Sequence, residues 1–498
     1  MEFASVIFIE IFLPAVLAIY YLLGFIKNKR AADCSRNVFL LISSCVFYAF
    51  GGLKELLFFC ALIAVNFAAG ILIGKTDKDA HKSRRRLIFV AALLVNIGVL
   101  VYFKYTSMML NLLDTIRKCS GFRGVISALL NFDASGVYSI VMPLAISFIV
   151  FQSISYVADV YKEKVAPSKN IITFGLYMTL LCQLTQGPIM RYGNLGAQIE
   201  NRVHTLDGFV AGLKRFAYGL GKKVLIANVV AESVDKIFNS QKTYMDVENM
   251  GAPIAWLGIL LYTIQIYYDF SGYTDMAIGV GGMLGFRIDE NFNYPYTSLS
   301  VQEFWRRWHM SLSGWFKDYI YIPLGGNRRG TARTCFNIAV VFFVTGIWHG
   351  ANLTFIVWGL IFVVVSIIER LFLGEALKKN PVKPLNWLYT ILVVMIGWVF
   401  FRSDNLSFAL KYIGQMFSFG GSAHYSVFSY LSVEVIAALV FGVLFCGALQ
   451  RPLKKLYEKF RDRMPVMCAD TAAQLAIVAF CIIRIVGGYY APSIYANF

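Results

Sequence analysis

Two of the chain's five histidines, His309 and His349, fall inside one stretch, residues 267–350, where polar and aromatic residues crowd an otherwise apolar sequence. The stretch contains YYDFSGYTDM (267–276), ENFNYPY (290–296), EFWRRWHMSLSGWFKDYIYIPLGGNRR (303–329) and GIWHG (346–350). An ionisable residue at membrane depth is costly and marks a site facing a cavity or a partner. His349 has apolar flanks, and a neutral imidazole there can act as a general base toward a hydroxyl. A histidine that only packs, hydrogen-bonded to a neighbouring helix, would read the same way.

His309 sits in a different chemical setting. It follows Arg306, Arg307 and Trp308 and precedes Ser311, Ser313 and Lys317. Guanidinium groups hold phosphates through paired hydrogen bonds, while Trp305, Trp308 and Trp315 suit a membrane–water boundary. An ordinary aromatic and basic belt at the cytoplasmic face accounts for the same residues. Among the carboxylates of the region Asp269, Asp275 and Asp318 stand out; the first two read as helix caps or as partners of arginines such as Arg287 or Arg306, ahead of any role in catalysis. Gly325 and Gly326 read as a turn, since the sequence has no GxxxxGK[ST] pattern. Nine cysteines form no CxxC pair, so neither a disulfide framework nor a zinc site is expected.

The elements that must position these residues are membrane helices. The chain is 58% hydrophobic and 15% charged, more apolar and less charged than a soluble domain. At about 20 apolar residues per crossing, the runs predict ten to twelve spans. The early ones lie near 6–26, 37–50, 55–74 and 87–105, followed by 138–160, and the later ones near 351–368, 386–402, 429–449 and 472–487. The first run has no basic residue before it and no small-residue cleavage site, so it reads as a retained helix. The formal charge of +17 is spread in short clusters between apolar runs. That pattern fits cytoplasmic loops, which collect Lys and Arg, and not a nucleic-acid partner. Lys27, Lys29 and Arg30 after the first run, and Lys75 to Arg86 after the third, place the N-terminus outside.

Between 171 and 300 the apolar runs are broken by glycine, proline and polar residues. Irregular backbone at membrane depth is tolerated only where protein or a water-filled cavity surrounds it, so a cavity is predicted. QGPIMRY (186–192) reads as a broken helix held by Arg191. The segment 207–238, with Lys214, Arg215, Lys222 and Lys223, reads as an amphipathic helix on the inner surface or packed at the rim. If an apolar piece over 335–347 begins inside, His349 lies roughly 20 Å deep. No second soluble domain, linker or internal repeat is found, so residues 1–498 read as one membrane domain.

QGPIMRY, YYDFSGYTDMAIG, ENFNYPYTSLSVQEFWRRWHMSLSGWFKDYIYIPLGGNR and the GIWHG near 350 resemble the membrane-bound O-acyltransferase (MBOAT) family. The likeness is nearest to the branch of the alginate O-acetyltransferase membrane subunit, with the teichoic-acid D-alanylation membrane protein as a neighbouring branch. The motifs lie within 186–350. The resemblance implies an all-α bundle around a central tunnel, with re-entrant and amphipathic helices beside the spans.

It also implies transfer of an acyl group from a cytoplasmic thioester, acetyl-CoA or an acyl carrier protein, to a hydroxyl of a cell-envelope or extracellular polysaccharide. No tightly bound cofactor and no metal are implied. His349 corresponds to the catalytic histidine and His309 to the second characteristic one. Arg306 and Arg307 would help position the donor, with Trp308, Ser311, Asp318 and Asn337 as further binding candidates. Asn337, Trp308 or a backbone N–H would stabilise the oxyanion. Expected partners are membrane lipids, the donor, the polysaccharide and a separate extracytoplasmic esterase-like protein bearing the catalytic serine. A bacterial cytoplasmic membrane is the expected location. The alternatives are D-alanyl transfer to teichoic acid and a transporter with broken helices lining its path.

Overall fold

A computed structural model describes residues 2–132, 140, 142–238, 247–418, 426–488 and 494 of the chain, and these form helices with no strand among them. The first half comprises α1 (Leu13–Leu22), α2 (Lys29–Ala49), α3 (Leu53–Lys75), α4 (Lys82–Arg117), α5 (Gly121–Leu130), α6 (Ile146–Tyr161), α7 (Ile171–Thr179) and α8 (Tyr192–Glu200). The core of the second half is α9 (Leu206–Gly221), α10 (Asn228–Phe238), α11 (Ala252–Met283), α12 (Val301–Arg307), α13 (Met310–Phe316), α14 (Thr331–His349) and α15 (Leu353–Ile368). Helix Lys383–Arg402 packs beside α15, Leu406–Met416 packs on α11, and Val433–Val443, Gln450–Phe460 and Met464–Val486 follow.

Among the described residues seven helices are long and apolar enough to cross a membrane, where ten to twelve spans were predicted. They are Ile7–Phe25, α3, α4, α14, Leu353–Lys379, Lys383–Arg402 and Met464–Val486; a bent pair, Val433–Gly447 with Gln450–Phe460, makes an eighth if it is one broken span. The difference has a physical reason. Helix α6 has only 16 residues, and α11, although 32 residues long, carries Gln265, Asp269 and Asp275 and is buried along nearly its whole length. Residues 138, 139 and 141 of the run expected at 138–160 lie outside the described residues.

Helix α11 is the axis on which the rest is packed. One apolar core lies between the helices of the first half other than α5, together with α9, and the C-terminal half of α11. A second surrounds its N-terminal half with α10, α12 and helix Lys383–Arg402. Against α9 the approach is so close that a methyl group at Gly212 would sit 2.6 Å from the Gly279 carbonyl oxygen, and one at Gly272 would sit 2.8 Å from that of Gly219. Small residues at a crossing let membrane helices gain dispersion contacts and exclude lipid. The segment predicted as an amphipathic helix, on the inner surface or packed at the rim, is packed along one face against α11, while Leu213 and Tyr218 on its other side stay exposed. Its basic face turns to α11: Arg215 and Lys222 flank Asp275, at 2.7 and 2.6 Å, and Lys223 pairs with Asp269. The partners of these aspartates are thus not Arg287 or Arg306.

Helices α14 and α15 form a second close pair, in which Gly346 faces the Phe355 carbonyl and Gly359 that of Phe342. At about 1.5 Å per residue the 19 residues of α14 span roughly 28 Å. His349 is its last residue, so the helix carries it farther than the expected 20 Å. The predicted start was too late: Gly330, with φ of 83°, and Thr331 open the helix four residues earlier.

Candidate active site

Two short helices set His309. Helix α12 begins at Ser300, whose hydroxyl accepts from the Glu303 N–H at 3.1 Å, and the Glu369 carboxylate takes the Val301 and Gln302 N–H groups at 2.6 and 2.9 Å. A carboxylate at a helix N-terminus satisfies donors that have no intrahelical partner. The helix stops after Arg307. Trp308 is extended, His309 adopts a left-handed conformation (φ 44°, ψ 56°), and α13 begins at Met310. A non-glycine residue there is strained by about 1 kcal/mol or more, and the surroundings hold it. Asn291 takes the Met310 N–H on its carbonyl oxygen at 2.9 Å and the Ser311 N–H and hydroxyl on Oδ1 at 3.1 and 2.9 Å.

These contacts fix the tautomer of His309. Its Nδ1 lies 3.1 Å from Asn291 Oδ1. Because the Ser311 N–H can only donate, the Asn291 atom facing it is the oxygen, and His309 Nδ1 must carry the proton. Nε2 is left with its lone pair and has no hydrogen-bond partner within the protein among the described residues. Burial pushes this imidazole, which lies outside the spanning helices, down to about 3. His309 is consequently a neutral acceptor with its open nitrogen available.

His349 arrives from the other side. It is 3% exposed, with its ring held edge-on by Trp358 at 4.9 Å and Phe401 at 5.1 Å and beside Trp348 at 4.7 Å. Trp348 is also 6.4 Å from the His309 ring and stacks on Phe151 at 5.3 Å. Both histidines line one cavity of about 370 Å³, together with Trp305, Arg306, Trp308, Lys317 and Thr345. His309 and His349 thus share one wall of this space. Arg306 and Lys317 are exposed and stand at its rim, neither within ion-pair distance of a carboxylate among the described residues.

The other predicted residues lie around the cavity without lining it. Arg307 binds Glu303 at 2.6 Å and the Asn293 carbonyl at 3.2 Å. Ser311 is engaged on Asn291, Asp318 is paired with Arg191 at 2.7 Å, and Asn337 donates to the Gly326 carbonyl at 2.8 Å. Arg191 therefore ties the break after α7 to the segment after α13. Three residues of consequence were not legible: Asn291, which sets the tautomer, and Lys104 and Tyr105 of α4, which reach the end of α14. A lysine in an apolar run was the available signal for Lys104. It was hidden because the run was expected to stop at 105, whereas α4 continues to Arg117.

The comparisons bear on the chemistry. A family model described as MBOAT, membrane-bound O-acyltransferase family, matches residues 164–408. The chain is 40% identical over 422 residues to a protein of Pseudomonas putida named probable alginate O-acetylase AlgI, covering 84% of this chain and 81% of that one. It is 33% identical over 449 residues to the peptidoglycan O-acetyltransferase of Helicobacter pylori, covering 84% and 80%. It is 27% identical over 286 residues to the teichoic acid D-alanyltransferase of Bacillus subtilis, covering 53% and 67%.

Proposed function

The chain belongs to the membrane-bound O-acyltransferase family and is a multi-pass O-acyltransferase, and from that premise we propose that it passes an acetyl group from a cytoplasmic thioester across the membrane for O-acetylation of an envelope polysaccharide. The single observation that carries the site assignment is the shared cavity. Two buried histidines from separate elements face one space, with cations at its rim.

In this reading the thioester arm enters past Arg306 and Lys317, whose free charges suit the phosphates of acetyl-CoA or of a carrier protein's prosthetic arm. His349 takes the proton of the acceptor hydroxyl as its oxygen bonds to the thioester carbonyl carbon. The tetrahedral intermediate then expels the thiolate, the C–S bond breaks, and the imidazolium returns its proton to sulfur. His309 Nε2 accepts a hydrogen bond from the acceptor hydroxyl or the donor arm and so positions it. The acceptor hydroxyl belongs to the polysaccharide or, first, to the serine of a separate extracytoplasmic partner. Acetyl transfer is favoured over D-alanyl transfer by the higher identity and longer coverage of the two acetyl-transferring relatives. The cytoplasmic membrane is the proposed location, supported by the basic loops.

The test is the acetyl ester content of surface polysaccharide in a deletion strain complemented with wild type or His349→Ala. Loss on deletion with restoration by wild type alone is expected. Unchanged acetyl with a fall in ester-linked D-alanine would transfer the assignment to the neighbouring branch.

A further inference from the structure

The C-terminal end of α14 is closed by another helix. The residue after His349, Gly350, is extended, and no backbone N–H folds back to close the last turn. The final carbonyls of a helix then need donors from outside. They come from α4: the Tyr105 hydroxyl donates to the Ile347 carbonyl at 2.7 Å, and the Lys104 ammonium donates to the Trp348 carbonyl. The same ammonium lies 5.4 Å from the centre of the Trp348 ring, within the range of a cation–π contact. Lys104 is 7% exposed and has no carboxylate within ion-pair distance among the described residues.

A buried, unpaired lysine in a spanning helix is a poor stabiliser, because desolvation of the ammonium outweighs one hydrogen bond to a carbonyl. Its placement has a clearer use. Trp348 lies against both histidine rings, 6.4 Å from His309 and 4.7 Å from His349, and it is the residue that Lys104 holds by both backbone and ring. A positive charge at a helix C-terminus also complements the partial charge of the last carbonyls.

We propose that Lys104 and Tyr105 are positioning residues for the acyl transfer, clamping the end of α14 so that His349 and, through Trp348, His309 keep their mutual geometry across the cavity. This rests on the functional reading above.

Removing the clamp moves the base relative to the substrate and leaves the donor's binding groups at the rim untouched. A displacement near 1 Å at a reacting group is enough to lower turnover by about tenfold to a hundredfold. Lys104→Met, which also relieves the buried charge, is expected to fold to at least the wild-type melting temperature in detergent.

The experiment uses the full chain in proteoliposomes loaded with envelope extract of the deletion strain, with acetyl-CoA outside. We expect kcat of Lys104→Met to fall about tenfold or more with KM for acetyl-CoA unchanged, Tyr105→Phe to show a smaller fall, and Lys104→Arg to recover part of the loss. In parallel, the rate at which diethyl pyrocarbonate acylates His349, followed by mass spectrometry, should change about threefold or more in Lys104→Met. Wild-type kcat and an unchanged acylation rate would overturn the proposal, and so would a kcat loss matched by loss of folded protein. A wild-type chain that transfers no acetyl would sink the functional reading instead, and the acylation rate would still decide this one.

Discussion

The cavity and the α9–α11 seam both bury ionisable side chains in a membrane protein, yet they finish them in opposite ways. At the seam Asp275 lies between Arg215 and Lys222, and Asp269 pairs with Lys223 and accepts the Ile494 N–H at 2.7 Å. Glycines on both helices bring the backbones close together where these cations meet the short aspartates. At the cavity, among the described residues, His309 keeps an open Nε2 and the Trp305 indole N–H has no acceptor, while the exposed Arg306 and Lys317 at the rim pair with no carboxylate. A satisfied buried charge holds helices together, whereas an unsatisfied one beside a space is available to a substrate. Sequence alone does not separate the two cases, because satisfaction is a tertiary property.

The sharpest way to break the comparison is to exchange the consequences. His349→Ala should lower transfer by about a hundredfold to ten-thousandfold, the contribution of a general base, with normal amounts of folded protein; the check is turnover alongside size-exclusion behaviour in detergent. Lys223→Met, which removes the cation paired with the buried Asp269, should do the reverse. It should destabilise by about 3–5 kcal/mol, seen as a lower melting temperature and poor yield, while any protein that folds retains turnover near wild type. If Lys223→Met were fully stable but inactive, the seam would belong to the chemistry.

Smaller effects sharpen the cavity side. Arg306→Ala should raise KM for acetyl-CoA by about tenfold, the loss of one charge-assisted contact, and leave kcat unchanged. Steady-state kinetics with acetyl-CoA varied would show it, and an unchanged KM would remove Arg306 from the donor site.

A pH effect follows from His309. Its folded pKa lies below its unfolded value, so the unfolded chain binds the extra proton and stability falls as pH drops below about 6.5. Between pH 7 and pH 5 the loss from this residue should approach about 2 kcal/mol. Asn tolerates the left-handed backbone at this position, so His309→Asn should show a correspondingly weaker fall in melting temperature over the same range.

Much of the fold is readable in the sequence. The runs predicted at 55–74, 386–402 and 351–368 correspond to Leu53–Lys75, Lys383–Arg402 and Leu353–Ile368. Long apolar runs bounded by charge announce themselves through desolvation cost alone. Helix α11 was obscured because Asp269 and Asp275 interrupt its hydropathy, and only the opposite helix reveals that those charges are neutralised. His309 and His349 were legible as chemistry by residue type and setting. Their meeting at one cavity was not, since 40 residues of turn and helix separate them and the angle between α13 and α14 is a matter of packing. Asn291 gave no signal at all: an asparagine in ENFNYPY looks like any loop residue until Ser311 and His309 are seen on its side-chain oxygen.

The most direct measurement is the sidedness of transfer. Sealed proteoliposomes loaded with envelope extract of the deletion strain would be given radiolabelled acetyl-CoA from outside. Ester-linked label would then be counted inside and out for wild type and His349→Ala. Label on the enclosed acceptor with wild type alone is the expected result. Label confined to the outer side, or carried inward equally well by folded His349→Ala, would contradict it.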